Sequence, residues 1–470
     1  MKLASPTFGF LATLVSGVLF ALSSELGPVG PLVFLAPIPL LLYALAAPRA
    51  WSVAIAALAV RLVGATFIYM VYGKIIPLPV LAIASAIFGA LYVVVMLLTR
   101  VLARATPAWM AAFSYPLVLV TVEWIFGRFA PNGSFGATGN SLVDVLPLLQ
   151  LASVGGLAAL TFIAALVPMA IAVAISRPGE RRGALLAGGL PLAAALVFGV
   201  VRLNQDYTSH ARVALAAIDS TEAHAYRGEA EDVATAEAYA GVVRELGKQK
   251  PEFIVLPEKQ FGGGRDGTRA SAVLDAAARE AGPATLIAGF DEVLTDGSRV
   301  NAAQLLAGGP PARYVKRRLI PGLEPGYTIG TGSYVAGTRG VAICKDMDFP
   351  AMIRDYGARG VELMLVPAWD FVRDGRMHSR MAVVRGVENG FAIARAAEAG
   401  RLTASDAFGR VVAEAVTTRE RPATLVADLG LRAGGTIYAR IGDAFAWLCA
   451  VLAAALLLRR AVAVRARSSS

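Results

Sequence analysis

Three residues of types used in nucleophilic catalysis each follow a short apolar run that predicts a β-strand. Glu258 follows FIVLP, Lys316 follows RYV and Cys344 follows VAI. A cysteine thiol becomes a strong nucleophile when a general base and a nearby cation favour the thiolate. Because catalytic groups are commonly held at strand ends and in the following loops, the three residues predict a base, a cation and a nucleophile, provided that the fold brings them together.

Each of these residues also has an ordinary interpretation. A lone cysteine is most often a small buried core residue, a glutamate after a proline is usually a solvated turn or cap, and a lysine in KRR is usually surface charge. The chain has only two cysteines, and Cys449 lies in a C-terminal apolar run. Cys344 is therefore the thiol expected to meet water and substrate.

Histidine and cysteine spacing gives no indication of a metal site. The three histidines, His210, His224 and His378, are widely separated, and His378 is expected at a solvated helix start. Two cysteines do not make a disulfide framework. The sequence therefore predicts neither a metal nor a cofactor.

Hydrophobicity is high and unevenly distributed. The 470 residues are 56% hydrophobic and only 17% charged, which is atypical of a soluble enzyme. A bilayer-spanning helix needs about 20 apolar residues. The pattern predicts a membrane domain of about seven transmembrane helices at 1–202, a catalytic domain at 203–440, and a closing transmembrane helix with a basic tail at 441–470. The predicted spans are 8–24, 31–47, 51–72, 78–98, 109–126, 151–175, 184–201 and 443–458.

The net charge of +10 invites a nucleic-acid interpretation. Much of the excess, however, lies in short loops between apolar runs and in the tail, which indicates membrane topology instead. With a cytoplasmic N-terminus, nearly all arginines and lysines of the short loops fall inside. Residues 203–440 are then predicted on the outer, periplasmic face of a bacterial inner (plasma) membrane.

Strands and helices alternate through the predicted outer domain, which indicates an α/β domain with helices covering sheets. In the membrane half, the loop 127–144 is rich in glycine, asparagine and serine and is long for a membrane connector. It is either a substrate-lining segment or a plain solvated loop.

The motifs around these residues resemble those of a known family. LPEKQ, YVKRRLIPGLEPG and ICKDMDFP together resemble the Glu-Lys-Cys triad of the nitrilase, or carbon–nitrogen hydrolase, superfamily. Residues 378–400 are similar to its stretch built on Arg-x-x-Glu-Asn-Gly. A nitrilase-like domain enclosed by membrane spans resembles the apolipoprotein N-acyltransferase family over almost the full length. The resemblance implies a helical membrane bundle and an α/β domain built as an αββα sandwich.

The resemblance also implies residue roles and partners. Glu258, Lys316 and Cys344 would be catalytic, with supporting or substrate-binding roles for Glu324, Asp346, Trp369 and Glu388. A phospholipid would donate an acyl chain to Cys344 as a thioester, and the α-amine of a diacylated lipoprotein would accept it. No cofactor and no nucleic acid would be involved, and a monomer is expected. Because both substrates are lipid-anchored, the membrane half favours acyl transfer over hydrolysis of soluble substrates.

Several positions depart from the family pattern. Lys345 and Asp346 follow the cysteine where the family usually has an aromatic residue and Glu-Asp. Leu256 replaces a common tryptophan, and Pro367-Ala368 replaces Asn-Asp before Trp369. The alternatives therefore include an acyltransferase for a different acceptor and a membrane-anchored nitrilase-type amidase. A third alternative is a non-catalytic scaffold or a transporter with a regulatory outer domain.

Overall fold

The computed structural model describes residues 2–24, 26–27, 29–218, 228–263, 269–306, 312–418 and 421–468. The chain forms two compact units. The helical unit comprises Met1–Ala130, Ser134–Asn204 and Ile441–Ser470, and the α/β unit comprises Pro131–Gly133 and Gln205–Arg440.

The helices follow the long apolar runs and the amphipathic segments of the sequence. In chain order they are α1 (Pro6–Ser23), α2 (Ile38–Ala46), α3 (Ala50–Gly64), α4 (Thr66–Tyr72), α5 (Leu78–Arg104), α6 (Ala108–Ala111), α7 (Ser114–Phe129), α8 (Leu146–Leu149), α9 (Ala152–Ser176), α10 (Arg181–Leu203), α11 (Glu229–Gly247), α12 (Arg269–Glu280), α13 (Pro350–Ala358), α14 (Gly375–Asn389), α15 (Ile437–Ile441) and α16 (Ala444–Ser468).

Seven helical segments among the described residues are long and apolar enough to cross a bilayer. In a bilayer every backbone polar group must be satisfied within the protein, which a continuous helix achieves. The chain is accordingly a membrane protein. The segments are Pro6–Ser23, Ala50–Tyr72, Leu78–Arg104, Ala108–Phe129, Ala152–Ser176, Pro178–Leu203 and Ala444–Ala463.

The predicted span at 31–47 differs from the structure. It consists of a 3₁₀ turn, Gly30–Phe34, followed by the nine-residue helix α2. Pro37 caps α2, and another proline lies in its first turn, so the helix starts only after the turn. Nine residues rise about 13.5 Å, less than half of the roughly 30 Å hydrocarbon core. Among the described residues, six of the seven candidate segments precede residue 204, where the sequence predicted about seven.

Thirteen strands are described in the α/β unit. They are β1 (Ser209–Ala217), β2 (Phe253–Val255), β3 (Phe261–Gly263), β4 (Thr285–Val293), β5 (Arg299–Leu306), β6 (Ala312–Val315), β7 (Tyr334–Ala336), β8 (Arg339–Val341), β9 (Leu363–Trp369), β10 (Ala392–Glu398), β11 (Arg401–Ser405), β12 (Val411–Val416) and β13 (Ala423–Leu431).

These strands form two sheets. One has the order β13-β1-β2-β4-β5-β6, with β3 beside β4, and the other has the order β12-β11-β10-β9-β8-β7. The central pairs β1–β2, β2–β4, β8–β9 and β9–β10 are parallel, so helical crossovers are needed between them.

The two sheets face each other across a dry layer, and helices cover their outer faces. Leu215 and Val255 of the first sheet share a core cluster with Leu365 and Ala394 of the second. A second cluster packs α11 and α12 against the first sheet, and a third packs α13 and α14 against the second. The unit is therefore an αββα sandwich, which confirms the predicted fold class.

Candidate active site

The three predicted catalytic residues lie at neighbouring strand ends of the sandwich. Glu258 lies beyond β2, Lys316 directly follows β6, and Cys344 begins a 3₁₀ turn, Cys344–Asp348, beyond β8. The backbone N–H of Glu258 donates to the carbonyl of Ala368 in β9, at 3.2 Å. This hydrogen bond joins the two sheets at the place where the three side chains meet.

Glu258 and Lys316 form a buried ion pair. The ammonium Nζ of Lys316 lies 2.7 Å from Oε1 of Glu258, and the two side chains are 0% and 1% exposed. The amide of Asn301 also donates to Oε1, at 2.6 Å. The second oxygen, Oε2, is buried and has no hydrogen-bond partner among the described residues. Glu258 is thus held through one oxygen and keeps the other free to accept a proton.

Glu324 forms the second carboxylate of the site. Lys316 donates to both of its oxygens, at 3.2 and 3.0 Å, and Asn301 donates to Oε1 at 2.8 Å. Lys259 lies 2.7 Å from the same oxygen, and the backbone N–H of Ile320 donates to Oε2 at 2.7 Å. Asn301 therefore bridges the two glutamates, and Glu324 orients Lys316 from the side opposite Glu258.

Charge pairing keeps Lys316 and Glu324 ionised despite their burial. Burial alone would favour the neutral amine, but the carboxylates of Glu258 and Glu324 raise the pKa of Lys316 above its ordinary value. Burial likewise opposes the carboxylate of Glu324, but Lys316 and Lys259 lower its pKa to about 2. The ammonium of Lys316 is therefore a permanent positive charge at physiological pH.

Cys344 has strained backbone geometry and a protonated resting thiol. Its φ of 42° lies in the left-handed region, which is sparsely populated by residues other than glycine and persists only where the surroundings impose it. Its Sγ donates to the carbonyl of Trp369 at 3.3 Å. Burial, followed by the charge of Glu258, raises the pKa of this thiol, whereas Lys316 opposes the rise. The thiol thus needs a base at the moment of attack.

The segment beyond β9 supports this geometry. Asp370 forms a fully buried ion pair with Arg395 of β10, and both charges act on Cys344. Val372 and Ala399 also have positive φ, 61° and 47°, and Val372 N–H donates to the carbonyl of Ala399 at 2.6 Å. Strained residues that cluster in this way are characteristic of functional sites.

Asp346 fastens the turn that carries Cys344 to the segment after β6. Its Oδ2 accepts from the hydroxyl of Tyr314 at 2.7 Å and from the backbone N–H of Ile343 at 3.0 Å. Its Oδ1 accepts from the backbone N–H groups of Arg317 and Arg318, at 3.2 and 2.8 Å. Burial raises the pKa of Asp346 to about 6, although these donors oppose the rise. Asp346 therefore links the positions of Cys344 and Lys316.

The same turn carries two further charged contacts. Lys345 donates to the amide oxygen of Asn132 at 2.7 Å and lies 3.8 Å from Asp348. Asn132 belongs to the three-residue part of the 127–144 segment that falls within the α/β unit. His378 lies 3.7 Å from Asp348 and 3.4 Å from Asp374, contrary to the solvated position predicted for it.

His378 is only 18% exposed because the turn after Cys344 and the segment after β9 both lie against the start of α14. Although burial opposes the charged imidazole, the nearby carboxylates of Asp348 and Asp374 raise the pKa of His378 to about 10. Asp374 also accepts from the backbone N–H of Phe371 at 2.7 Å. The imidazolium therefore links the turn Cys344–Asp348 to the segment that carries Trp369.

The remaining predicted residues occupy different positions. Trp369 contributes its backbone carbonyl to the thiol, and its side chain is only partly buried. Glu388 lies fully buried near the end of α14, 3.0 Å from Nε of Arg385, and its carbonyl accepts from Thr436. Among the described residues, no group of three or more histidine, cysteine, aspartate or glutamate side chains is arranged to hold a metal.

Sequence reasoning missed Asn301, Lys259 and His378 as residues of the site. Lys259 directly follows Glu258, and this adjacency is a sequence signal that it belongs to the site. Asn301 lies near the start of β5, more than forty residues from Glu258, and no local motif marks it.

Two family models match the chain in separate regions. A family model described as carbon–nitrogen hydrolase matches residues 212–437. With the αββα sandwich, this defines a member of the nitrilase superfamily. A second model, described as the apolipoprotein N-acyltransferase N-terminal domain, matches residues 16–170. The two models together show that the chain resembles the apolipoprotein N-acyltransferase family in both of its parts.

Curated relatives have the same name. A protein named apolipoprotein N-acyltransferase from Geobacter metallireducens is 24% identical over 97% of this chain and 96% of its own. One of the same name from Bradyrhizobium diazoefficiens is 27% identical over 74% of this chain and 73% of its own.

Solved structures of an amidase and of a nitrilase-superfamily member are similar to part of the chain. An amidase from Nesterenkonia sp. has a TM-score of 0.40 at 21% identity and covers 50% of this chain and 95% of its own. Nit3 from Saccharomyces cerevisiae has a TM-score of 0.41 at 18% identity over 48% and 92%.

Proposed function

We propose that the protein transfers an acyl chain from a phospholipid, through a thioester on Cys344, to the α-amino group of the diacylglyceryl-cysteine of apolipoproteins. The observation that carries this proposal is the buried cluster of Glu258, Lys316 and Cys344 in a chain that also has seven candidate membrane spans. The resemblance to this family and the names of the relatives support the choice of substrates.

In the first half-reaction, the free Oε2 of Glu258 takes the proton of the Cys344 thiol as Sγ attacks the ester carbonyl of the phospholipid. The permanent charge of Lys316 stabilises the thiolate and then the tetrahedral oxyanion. A carbon–sulfur bond forms, and the carbon–oxygen bond of the ester breaks. Glu258 returns the proton to the departing oxygen, so the lysophospholipid leaves with a free hydroxyl group and the thioester remains.

In the second half-reaction, the α-amine of the lipoprotein attacks the thioester carbonyl. The carbon–nitrogen bond forms as the carbon–sulfur bond breaks, and Glu258 moves a proton from the amine to the leaving thiolate. The enzyme is thereby restored, and the product carries an amide-linked acyl chain. The order of the steps is ping-pong because the lysophospholipid leaves before the lipoprotein amine attacks the acyl-enzyme.

We further propose that the α/β unit lies on the outer, periplasmic face of the inner membrane and that the enzyme acts as a monomer. The distribution of arginine and lysine in the short loops supports this orientation. Protease accessibility of the α/β unit in spheroplasts, but not in intact two-membrane cells, is the expected result. Cleavage only after lysis would contradict the orientation.

The decisive experiment is mass spectrometry of the full-length protein incubated with phospholipid vesicles. We expect an acyl-sized mass increase on Cys344 that a synthetic diacylated lipopeptide discharges, with formation of a triacylated lipopeptide. C344A should show no adduct, and C449A, which removes the other cysteine, should behave as wild type.

The remaining outcomes of this experiment separate the alternatives. An adduct removed by water but not by the lipopeptide would indicate a lipid hydrolase or a different acceptor. A folded protein that forms no adduct would contradict the phospholipid donor and favour an amidase of small substrates.

A further inference from the structure

Lys259 is a second ammonium group in the site, and the proposed two half-reactions do not use it. Its side chain is 6% exposed, and Nζ lies 2.7 Å from Oε1 of Glu324. Its φ of 52° is in the left-handed region, which is unfavourable for a lysine. A long charged side chain that is both buried and strained in its backbone is unlike a solvated surface lysine.

The surroundings hold Lys259 in this place. Its ammonium lies 4.7 Å from the ring centroid of Tyr327, a cation–π contact. The hydroxyl of Tyr327 donates to Asp291 at 2.9 Å, and Arg299 also approaches the ring at 4.6 Å. Tyr327 and Glu324 both belong to the segment that follows Lys316. Lys259 therefore connects the loop of the proposed base to the loop that follows the proposed cation.

The distances divide the four charges into two pairs. Lys316 is closer to Glu258, at 2.7 Å, than to Glu324, at 3.0 Å, and Lys259 is at 2.7 Å from Glu324. With both lysines present, two carboxylates face two ammonium groups in a buried site. Without Lys259, a single ammonium would serve two carboxylates, and the buried cluster would carry an uncompensated negative charge.

We propose that Lys259 is a positioning residue that neutralises Glu324, so that the charge of Lys316 acts on Glu258 and on the Cys344 thiolate. The inference rests on the proposed role of Cys344 as nucleophile, but it concerns the ionisation of the thiol and not the identity of the substrates. An extra negative charge beside Cys344 would disfavour the thiolate.

The test measures the alkylation rate of Cys344 by iodoacetamide from pH 6 to 10. It uses the full-length C449A protein, in which Cys344 is the single cysteine. Because alkylation needs neither phospholipid nor lipopeptide, its result is independent of whether the proposed acyl transfer occurs. The rate follows the thiolate fraction.

We expect K259M to lower the alkylation rate at pH 8 about tenfold and to move the pH profile upward by about 1 unit. K259R, which keeps the charge, should stay within about threefold of the parent protein. K248M is the matched control, because Lys248 is 72% exposed directly after α11 and pairs locally with Glu245. Its rate and profile should be unchanged.

A charge-restoring double variant separates electrostatics from simple structural damage. K259M/E324Q removes one cation and one carboxylate, so the net charge of the cluster returns to that of the parent. It also avoids leaving Glu324 unpaired, which protects folding if K259M alone is unstable. We expect its alkylation profile to return to within about threefold of the parent, since each pKa unit corresponds to a tenfold change.

Two results would overturn the proposal. One is a K259M protein with the parent rate and profile and an unchanged circular dichroism spectrum. The other is a folded double variant that reacts as slowly as K259M or more slowly, since a lost structural contact is not repaired by removing its partner.

Discussion

The ammonium of Lys316 holds Glu258 through Oε1 at 2.7 Å and leaves Oε2 without a hydrogen-bond partner among the described residues. A buried carboxylate oxygen without a donor is uncommon, because desolvation without a compensating hydrogen bond is unfavourable. At this position the unused lone pairs of Oε2 fit a base that awaits a proton. The arrangement therefore assigns the two oxygens of one carboxylate different tasks.

The first prediction concerns Glu258. E258Q keeps the shape of the side chain but removes its basicity, so formation of the acyl-enzyme should slow by a factor of about 10² to 10⁴. Single-turnover mass spectrometry of Cys344 after mixing with phospholipid measures this rate. E245Q, at an exposed carboxylate of α11, is the control and should acylate at the parent rate. An E258Q protein that acylates normally would exclude Glu258 as the base.

The second prediction concerns the stability of the charge cluster. K316M leaves two buried carboxylates with one ammonium fewer, which should destabilise the α/β unit by about 3–5 kcal/mol. The apparent Tm, followed by circular dichroism in detergent, should fall clearly, and acylation should be lost. K248M should leave the Tm unchanged. A K316M protein as stable as the parent would show that the pair contributes no net stability.

The third prediction is a pH dependence caused by His378. Its pKa of about 10 in the folded protein is higher than the ordinary 6.5. The stabilisation is therefore complete below pH 6.5 and disappears as the pH rises through 10, with an upper limit of about 5 kcal/mol. The apparent Tm of the parent should fall between pH 7 and 10, and that of H378Q should fall much less over this interval.

His210 provides a matched control for this measurement, because it is exposed on β1. H210Q should follow the pH profile of the parent. Parallel profiles for H378Q and the parent protein would contradict a cationic His378 in the folded state.

The fourth prediction concerns Asp346. Its two oxygens accept four hydrogen bonds, and an asparagine has only one acceptor oxygen and adds an N–H donor. D346N should therefore release the turn of Cys344 from the segment after Lys316 and lower the acylation rate by about 10². Near-parent acylation by D346N would show that the turn holds its position without these bonds.

The fifth prediction tests the substrate-binding role suggested for Trp369. Its carbonyl contacts Cys344, and this contact does not depend on the side chain. W369A should therefore raise KM for phospholipid about fivefold or more while kcat changes little, if the partly exposed indole contacts the acyl chain. W369F should lie between W369A and the parent. A fall in kcat with unchanged KM would instead indicate a positioning role.

Much of the fold was predictable from the order of apolar runs. Long runs specify spanning helices because a bilayer requires about 20 apolar residues per helix, and alternating strand and helix patterns specify an α/β unit. The difference at 31–47 has a local cause. The apolar run is long enough to predict a span, but Pro37 and the proline after it start a new helix in the middle of the run.

The sequence by itself determined the strand ends that carry Glu258, Lys316 and Cys344, because an apolar strand followed by a polar turn is a local pattern. Only the tertiary structure decided which charges neutralise one another: Asn301 between the two glutamates, Lys259 on Glu324, and His378 between two aspartates. These contacts join residues far apart in the chain. Their energies depend on burial and on distances of a few ångströms, and neither quantity is encoded in spacing along the sequence.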